Sequence, residues 1–412
     1  MDGRLKMHRR NVYDAAVIGA GPAGLASALA ASDRGLSVAL IDAHRQPGAK
    51  LSLAGGGMGN FTNKVMDKRH YDGSDISDIA SVLRRYGCQN VLALLSRLKL
   101  PFEERDLGQI FGLRPARFFA ERLALLCDRN GVDFYLGRQA SGIMRLQGAV
   151  DGPRFKLDAG NESIFARQLV LATGSPACPQ SGASGQMLRL AEAWGHATVP
   201  FRPVLTPFRM QQDWELDGLS GISLNVRLGL KRGETIFHPD PEGVRSLLFT
   251  HRGLSGPAAL TLSCWWQKGD LLVIDFLPEL RLLELLDDAD SRKLLVRTLL
   301  SRHLPSRLAE RLCPPELAVR KCAEIKKQDR NLLARAVHSF QAAPSGTEGF
   351  AKAEAAAGGV RLSSLTKGLE SSIVPGLFFC GELLDATGIL GGYNIHWALA
   401  SGNLVGLSLQ AQ

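Results

Sequence analysis

The 412-residue sequence predicts an α/β fold in which one nucleotide-binding domain is interrupted by a β-rich segment. Three observations carry that expectation. Residues 13–43 read YDAAVIGAGPAGLASALAASDRGLSVALIDA: an apolar run, a glycine turn, an Ala/Leu-rich helical stretch, a second apolar run and an acid. From about Pro200 the texture changes to short strand-like runs separated by Pro and Gly. The last sixty residues return to the opening pattern of apolar strand and glycine turn. The expected architecture is a Rossmann-like domain over 1–198, a β-rich insert over 199–278, a small helical insertion over 279–341, and a return to the first domain over 342–412.

The opening segment has a role for each residue. Gly19 permits a tight turn off the strand, and Gly21 leaves backbone N–H groups open to a pyrophosphate. Gly24 lets the helix lie close on the sheet. Pro22 and Ala23 complete the turn, with proline at a position where its missing N–H costs nothing. Asp42 stands 18 residues after Gly24, at the end of the second apolar run, where a carboxylate can bind ribose hydroxyls. Taken alone, this segment leaves FAD and NAD equally open.

A glycine-rich stretch follows over 50–63, and from it Lys50, Gly56, Gly57, Asn60 and Thr62 are candidate cofactor ligands. Helical patterns run through 76–98 and 116–130, then strand patterns through 133–136, 140–146 and 154–158. The apolar run 168–171 ends on Ala172-Thr173-Gly174, which delivers backbone to the sheet edge where α/β proteins bind ligands. In the insert, 204–210, 223–230, 235–238, 246–250 and 271–276 are strand-like, and 280–341 is helical. Near the end, 375–382 reads as a buried strand closing on Gly381-Glu382. Gly391-Gly392-Tyr393-Asn394-Ile395 then opens a helix over 395–407.

Composition narrows the class. No run of about 18 apolar residues suggests a membrane span. The basic N-terminus MDGRLKMHRRN lacks the apolar core of a secretory signal, so a cytoplasmic location is expected. Seven scattered cysteines, none in a C-x-x-C pair, fit neither a zinc site nor a disulfide framework and read as small buried hydrophobes. No metal site is expected. The net charge of +9 is partly localised: residues 281–335 hold 13 Lys/Arg against 8 Asp/Glu. That excess favours polyanions through phosphate contacts, or acidic small substrates by steering; the alternative is a solvated helical face.

Two glycine-rich helix starts at opposite ends of one chain point to a discontinuous FAD-binding domain. The first unit would hold the pyrophosphate. Glu382 would lie near the ribityl chain, and the helix start at Gly392, Tyr393, Asn394 and Ile395 would face the flavin ring with its positive dipole end. No second strand-linked glycine fingerprint is present, so NAD(P)H is expected as a transient reductant sharing the substrate cavity.

The phrases GAKLSLAGGGMGNFTN, FTHRGLSGPAALTLS, AAAGGVRLSSL and GLFFCGELLDATGILGGYNIHWALASGNLVG resemble those of the BaiN/YhiN-like family of bacterial NAD(P)/FAD-dependent oxidoreductases. The resemblance implies FAD, a barrel-like insert with a helical insertion, and reduction of an activated C=C bond. In that family one branch acts on bile-acid intermediates and another forms dihydrouridine in ribosomal RNA. The sequence departs from the family wording where Ala54, Met58 and Gly59 replace Ser, Arg and Cys, and where His396 stands for the usual Gln. These changes suggest a divergent subgroup.

Reduction of a C=C bond needs a proton on the carbon beside the hydride acceptor. The candidate donors are His251, in a polar loop read as a lid or hinge, and Tyr393 and His396, in the first turn of the C-terminal helix. The leading expectation is an FAD-dependent reductase acting on uracil in RNA or on a small conjugated enone. The alternatives are a flavin monooxygenase or oxidase, and a non-catalytic RNA-binding protein stapled by FAD.

Overall fold

The computed structural model describes residues 12–147, 152–182 and 184–411. The basic N-terminal segment on which the cytoplasmic expectation rested lies outside the described residues. The chain forms two compact units, one of residues up to Pro203 together with Glu354–Gln412, the other Val204–Ala353.

The first unit is built on a seven-stranded sheet. Strand β1 (Tyr13–Ile18) runs into helix α1 (Pro22–Ser32), and the chain returns as β2 (Val38–Asp42), parallel to β1 with Val17 opposite Leu40. Strand Asp133–Leu136 continues the sheet beside β2, and Glu162–Leu171 flanks β1 on its other side, both parallel. The late strand Leu377–Phe379 adds in parallel to Glu162–Leu171, which brings the C-terminal segment back into the same sheet. The central strands are buried on both faces, and their near-continuous Val, Ile, Leu and Ala runs reflect it.

Helix α1 is buried from Ala23 to Ser32 because it lies under both the sheet and the C-terminal helix Tyr393–Ser408. Small residues permit this contact: a Cβ on Gly402 would collide with Ala23 O, and one on Gly406 with Ser27 O. The pattern over 76–98 resolves into two helices, Ile76–Arg85 and Cys88–Arg97, broken at the extended Tyr86 and Gly87. Five cysteines are buried as expected of small hydrophobes, whereas Cys88 and Cys178 are only half-buried.

The second unit is an eight-stranded sheet whose pairings are all antiparallel. Its strands and the helices between Leu282 and His338 share one core, with Phe249, Ile274 and Phe276 packed with Leu299, Leu308 and Leu333. The chain returns to the sheet of this unit after the helices, through Phe340–Ala342 on Leu271–Asp275 and Gly346–Thr347 on Phe208–Arg209. The unit therefore runs to Ala353, past the boundary at 341 expected from helical periodicity alone.

Candidate cofactor site

The first βαβ segment ends in an uncapped helix start. Gly19 has φ +111°, and Cβ atoms on Gly19 and Gly24 would strike Ala172 O and Gly19 O respectively. Turn, helix and the neighbouring strand end are thus pressed together by backbone alone. Gly21 differs. It has φ −78°, no side chain caps the helix there, and its absent Cβ would meet no protein atom within 4 Å. The first-turn N–H groups have no intrahelical partners, and no side chain caps them.

Asp42 sits half-buried at the end of β2. Its Oδ2 accepts from Ala20 N at 2.6 Å and its Oδ1 from His44 N at 2.7 Å. Oδ1 also meets the ring Nδ1 of His44 at 3.1 Å. A carboxylate has about four lone-pair sites, so capacity remains on Oδ2 beyond these three contacts. On the adjacent strand end, Thr173 Oγ1 is buried with no hydrogen-bond partner. An unpartnered hydroxyl beside an uncapped, dipole-positive helix start suits an acceptor-rich ligand.

The late segment is held to this edge from several directions. Lys50 Nζ lies 2.5 Å from Glu382 Oε2, while Glu382 Oε1 accepts from Ala356 N at 3.1 Å. Lys50 thus pairs with Glu382 across 332 residues of chain. Gly381 N donates to Ser401 Oγ at 2.9 Å, and Trp397 Nε1 donates to Gly381 O at 3.1 Å. Ser401 and Trp397 were not among the expected site residues. Their four-residue spacing on one helix face is the sequence signal that marks them.

The second helix start is crowded with protein. Gly392 has φ +91°, and a Cβ there would lie 2.5 Å from Thr62 O. With its amide oriented to satisfy both groups, Asn60 accepts from Gly392 N at 3.1 Å and donates to Thr62 O at 3.2 Å. Asn394 spends its amide on the preceding loop, accepting from Gly388 N at 2.9 Å and donating to Gly388 O at 2.7 Å. Gly56 and Gly57 lie in the 3₁₀ turn Leu51–Gly57, both with positive φ, and Ile395 is half-buried in the first turn of the helix. Asp385 pairs with a loop backbone, accepting from Ser74 N at 2.9 Å.

One of the three expected proton donors, His396, has both of its ring nitrogens engaged by protein. His396 is completely buried; its Nε2 donates to Tyr86 O at 2.9 Å, and its Nδ1 accepts from Thr62 Oγ1 at 2.8 Å. Burial lowers its pKa to about 4, so it is a neutral ring with both nitrogens committed. Tyr393 is also buried, stacked on His70 at 4.5 Å between ring centroids, and it packs against Tyr71. His251 is exposed, but the expected loose lid is a tight hairpin turn, with Thr250 paired to Gly253 across residues 251–252.

The discontinuous α/β unit with its open first turn matches, over residues 13–408, the family described as HI0933-like protein Rossmann domain. The chain belongs to that family. HI0933-like membership makes it an FAD-dependent oxidoreductase, and the open turn at Gly21 with the orphaned Thr173 hydroxyl fits that cofactor. The chain is 35% identical to the Haemophilus influenzae ribosomal RNA dihydrouridine synthase, over 96% of this chain and 98% of that protein. It is 29% identical to the 3-dehydro-bile acid delta(4,6)-reductase of Clostridium scindens, over 95% and 97%. Among solved structures, the 3-ketosteroid delta1-dehydrogenase of Sterolibacterium denitrificans has a TM-score of 0.50 at 12% identity, covering 97% of this chain and 99% of that one, a likeness of fold alone. Among the described residues, no helix is long and apolar enough to cross a membrane.

Proposed function

We propose that this HI0933-like chain reduces the conjugated C=C bond of uracil in ribosomal RNA, with NAD(P)H as the transient electron source, in the cytoplasm. The observation that carries the reading is the open, uncapped helix start at Gly21, set in a chain whose likeness to a ribosomal RNA dihydrouridine synthase runs end to end. The chemistry that bound FAD supplies is hydride transfer, taken from NAD(P)H and delivered to one carbon of the bond while a proton completes the other.

In this reading the N–H groups after Gly21 and Pro22, at Ala23 and Gly24, receive the pyrophosphate, and the spare lone pairs of Asp42 take a ribose hydroxyl. Ala172, Thr173 and Gly174 line the same edge, with Thr173 Oγ1 donating to the cofactor. Glu382, oriented by Lys50, meets the polar chain that links phosphate to ring. The 56–62 segment and the helix start at 392–395 pack a rigid wall beside the ring. Both ring nitrogens of His396 are engaged by protein, whereas His251 of the insert is exposed, and His251 is the proton donor in this reading. Its replacement by Gln slows turnover on RNA about 100-fold while leaving flavin reduction by NAD(P)H unchanged.

The test is direct. Purified protein is yellow, bleaches anaerobically with NAD(P)H, and regains colour on adding transcribed ribosomal RNA, whose uridine gains two hydrogens by mass spectrometry. Protein that binds no FAD overturns the reading. So does recovery that requires oxygen, the signature of a monooxygenase, or turnover of a conjugated steroid enone but not of RNA.

A further inference from the structure

We infer that segments 292–297 and 319–327 of the insert form the surface that holds the phosphate backbone of the RNA substrate; the inference rests on the reading of the chain as an RNA-modifying reductase. The two segments run side by side in opposite directions. Leu295 bridges Lys321, Val296 N donates to Arg320 O at 3.0 Å, and Cys322 N donates to Leu294 O at 2.9 Å. The 3₁₀ turns Ser291–Lys293 and Cys322–Glu324 pack together. This pairing brings Arg292, Lys293 and Arg297 alongside Arg320 and Lys321, with Lys326 and Lys327 following directly in the chain.

All seven cations are exposed, and none of them forms an ion pair among the described residues. Elsewhere in the same unit cations are neutralised: Arg232 by Asp270 at 2.7 Å, Arg245 by Asp240 at 2.6 Å and Arg330 by Asp287 at 2.5 Å. The one acid within the two segments, Glu324, turns its Oε2 onto Lys321 N at 3.3 Å. Asp329, next along, is half-buried in the first turn of the following helix.

Lys326 and Lys327 add a second argument. They are the N-cap and first residue of the 12-residue helix Lys327–His338, and no side chain caps that end. The helix dipole disfavours lysine there and favours an anion. Two lysines at a positive helix end, beside five more unpaired cations, form a site whose electrostatic deficit a phosphate chain removes. Each phosphate so neutralised releases counterions, which gives the surface a measurable signature in salt.

The decisive variant is Arg320→Gln/Lys321→Gln/Lys326→Gln/Lys327→Gln. Its control, Arg84→Gln/Arg122→Gln/Arg129→Gln/Arg189→Gln, removes the same charge from exposed positions of the nucleotide unit. Binding of transcribed ribosomal RNA is titrated across salt, with flavin reduction by NAD(P)H and thermal melting as checks on integrity. The expected result is that the log–log salt slope falls by about 3, at roughly 0.7 per single-strand phosphate contact, and that Kd rises at least tenfold near 0.15 M salt. The control keeps the wild-type slope, and both variants melt and reduce like the wild type. An unchanged slope and Kd in the first variant overturns the surface while leaving the reductase reading intact. Equal losses in the control overturn it too, because net charge alone then explains binding. Wild-type protein that binds phosphatidylglycerol vesicles in preference to RNA, or no RNA at all, overturns both the surface and the RNA substrate.

Discussion

The helix beginning at Pro22 and the helix beginning at Tyr393 both follow a glycine-rich turn, yet the two turns use their glycines in opposite ways. At the first, Gly19 and Gly24 bring backbone against backbone so that Gly21 can stand open, with nothing within 4 Å of its missing Cβ. At the second, Gly392 lets the chain turn through φ +91° against Thr62 O, and Asn60 takes up the Gly392 N–H. One turn leaves its helix start without a side-chain cap; the other spends its leading N–H on protein. A glycine-rich helix start is therefore two different devices, and only the atoms around the missing Cβ tell them apart.

The sharpest way to break this contrast is Gly24→Ala. Its Cβ would occupy the position of Gly19 O, and the helix cannot move off the sheet without opening the core. The loss exceeds about 4 kcal/mol, and no folded flavoprotein is recovered on expression. Next in size is Gly392→Ala. A left-handed backbone and a contact with Thr62 O together cost about 3 kcal/mol, read as a lower melting temperature in protein with and without flavin alike.

The pH dependence tests the protein-filled side of the comparison. In the fold His396 titrates near 4, against about 6.5 in the unfolded chain, so between these values only the unfolded chain takes the proton. Stability at neutral pH is therefore lost as pH falls from about 6.5 to 4, by up to about 3 kcal/mol. In His396→Gln that acid loss is absent from denaturant titrations, because an amide can accept from Thr62 and donate to Tyr86 without titrating. The smallest effect on the fold is expected at the open turn. Gly21→Ala leaves the melting of the flavin-free protein within about 0.5 kcal/mol, since φ −78° suits alanine and its Cβ has room. It weakens FAD binding about tenfold, because the same methyl group then stands where phosphate approaches. Equal losses in flavin-free stability at Gly21 and Gly392 would erase the distinction between the two turns.

Much of the first unit was legible in the chain. The alternation of apolar run, glycine turn and helix over 13–43 predicts β1, α1 and β2, because parallel strands buried on both faces need uninterrupted apolar runs. The change of texture near Pro200 marks the insert for a similar reason. Less legible was where the insert ends. Phe340–Ala342 and Gly346–Thr347 are too short to carry a period, and only their partners in the sheet make them strands. The candidate site divides in the same way. The open turn follows from glycine spacing, but the locking of His396 does not. A histidine in a helix first turn looks available until Thr62 and the Tyr86 carbonyl, 334 and 310 residues away in sequence, arrive on its two nitrogens.

By itself the sequence determined the kind of fold, because spacing within a βαβ unit is local, and it pointed to the family and the cofactor through the wording of the glycine-rich segments at the two ends of the chain. The tertiary structure decided which polar groups remain available. Lys50 was claimed by Glu382, Asn394 by the loop before it, and His396 by two distant segments, while Gly21 kept open space beside it and the Thr173 hydroxyl was left without a partner. Those outcomes depend on desolvation and on partners brought from far along the chain, and neither is written in the spacing of any one segment.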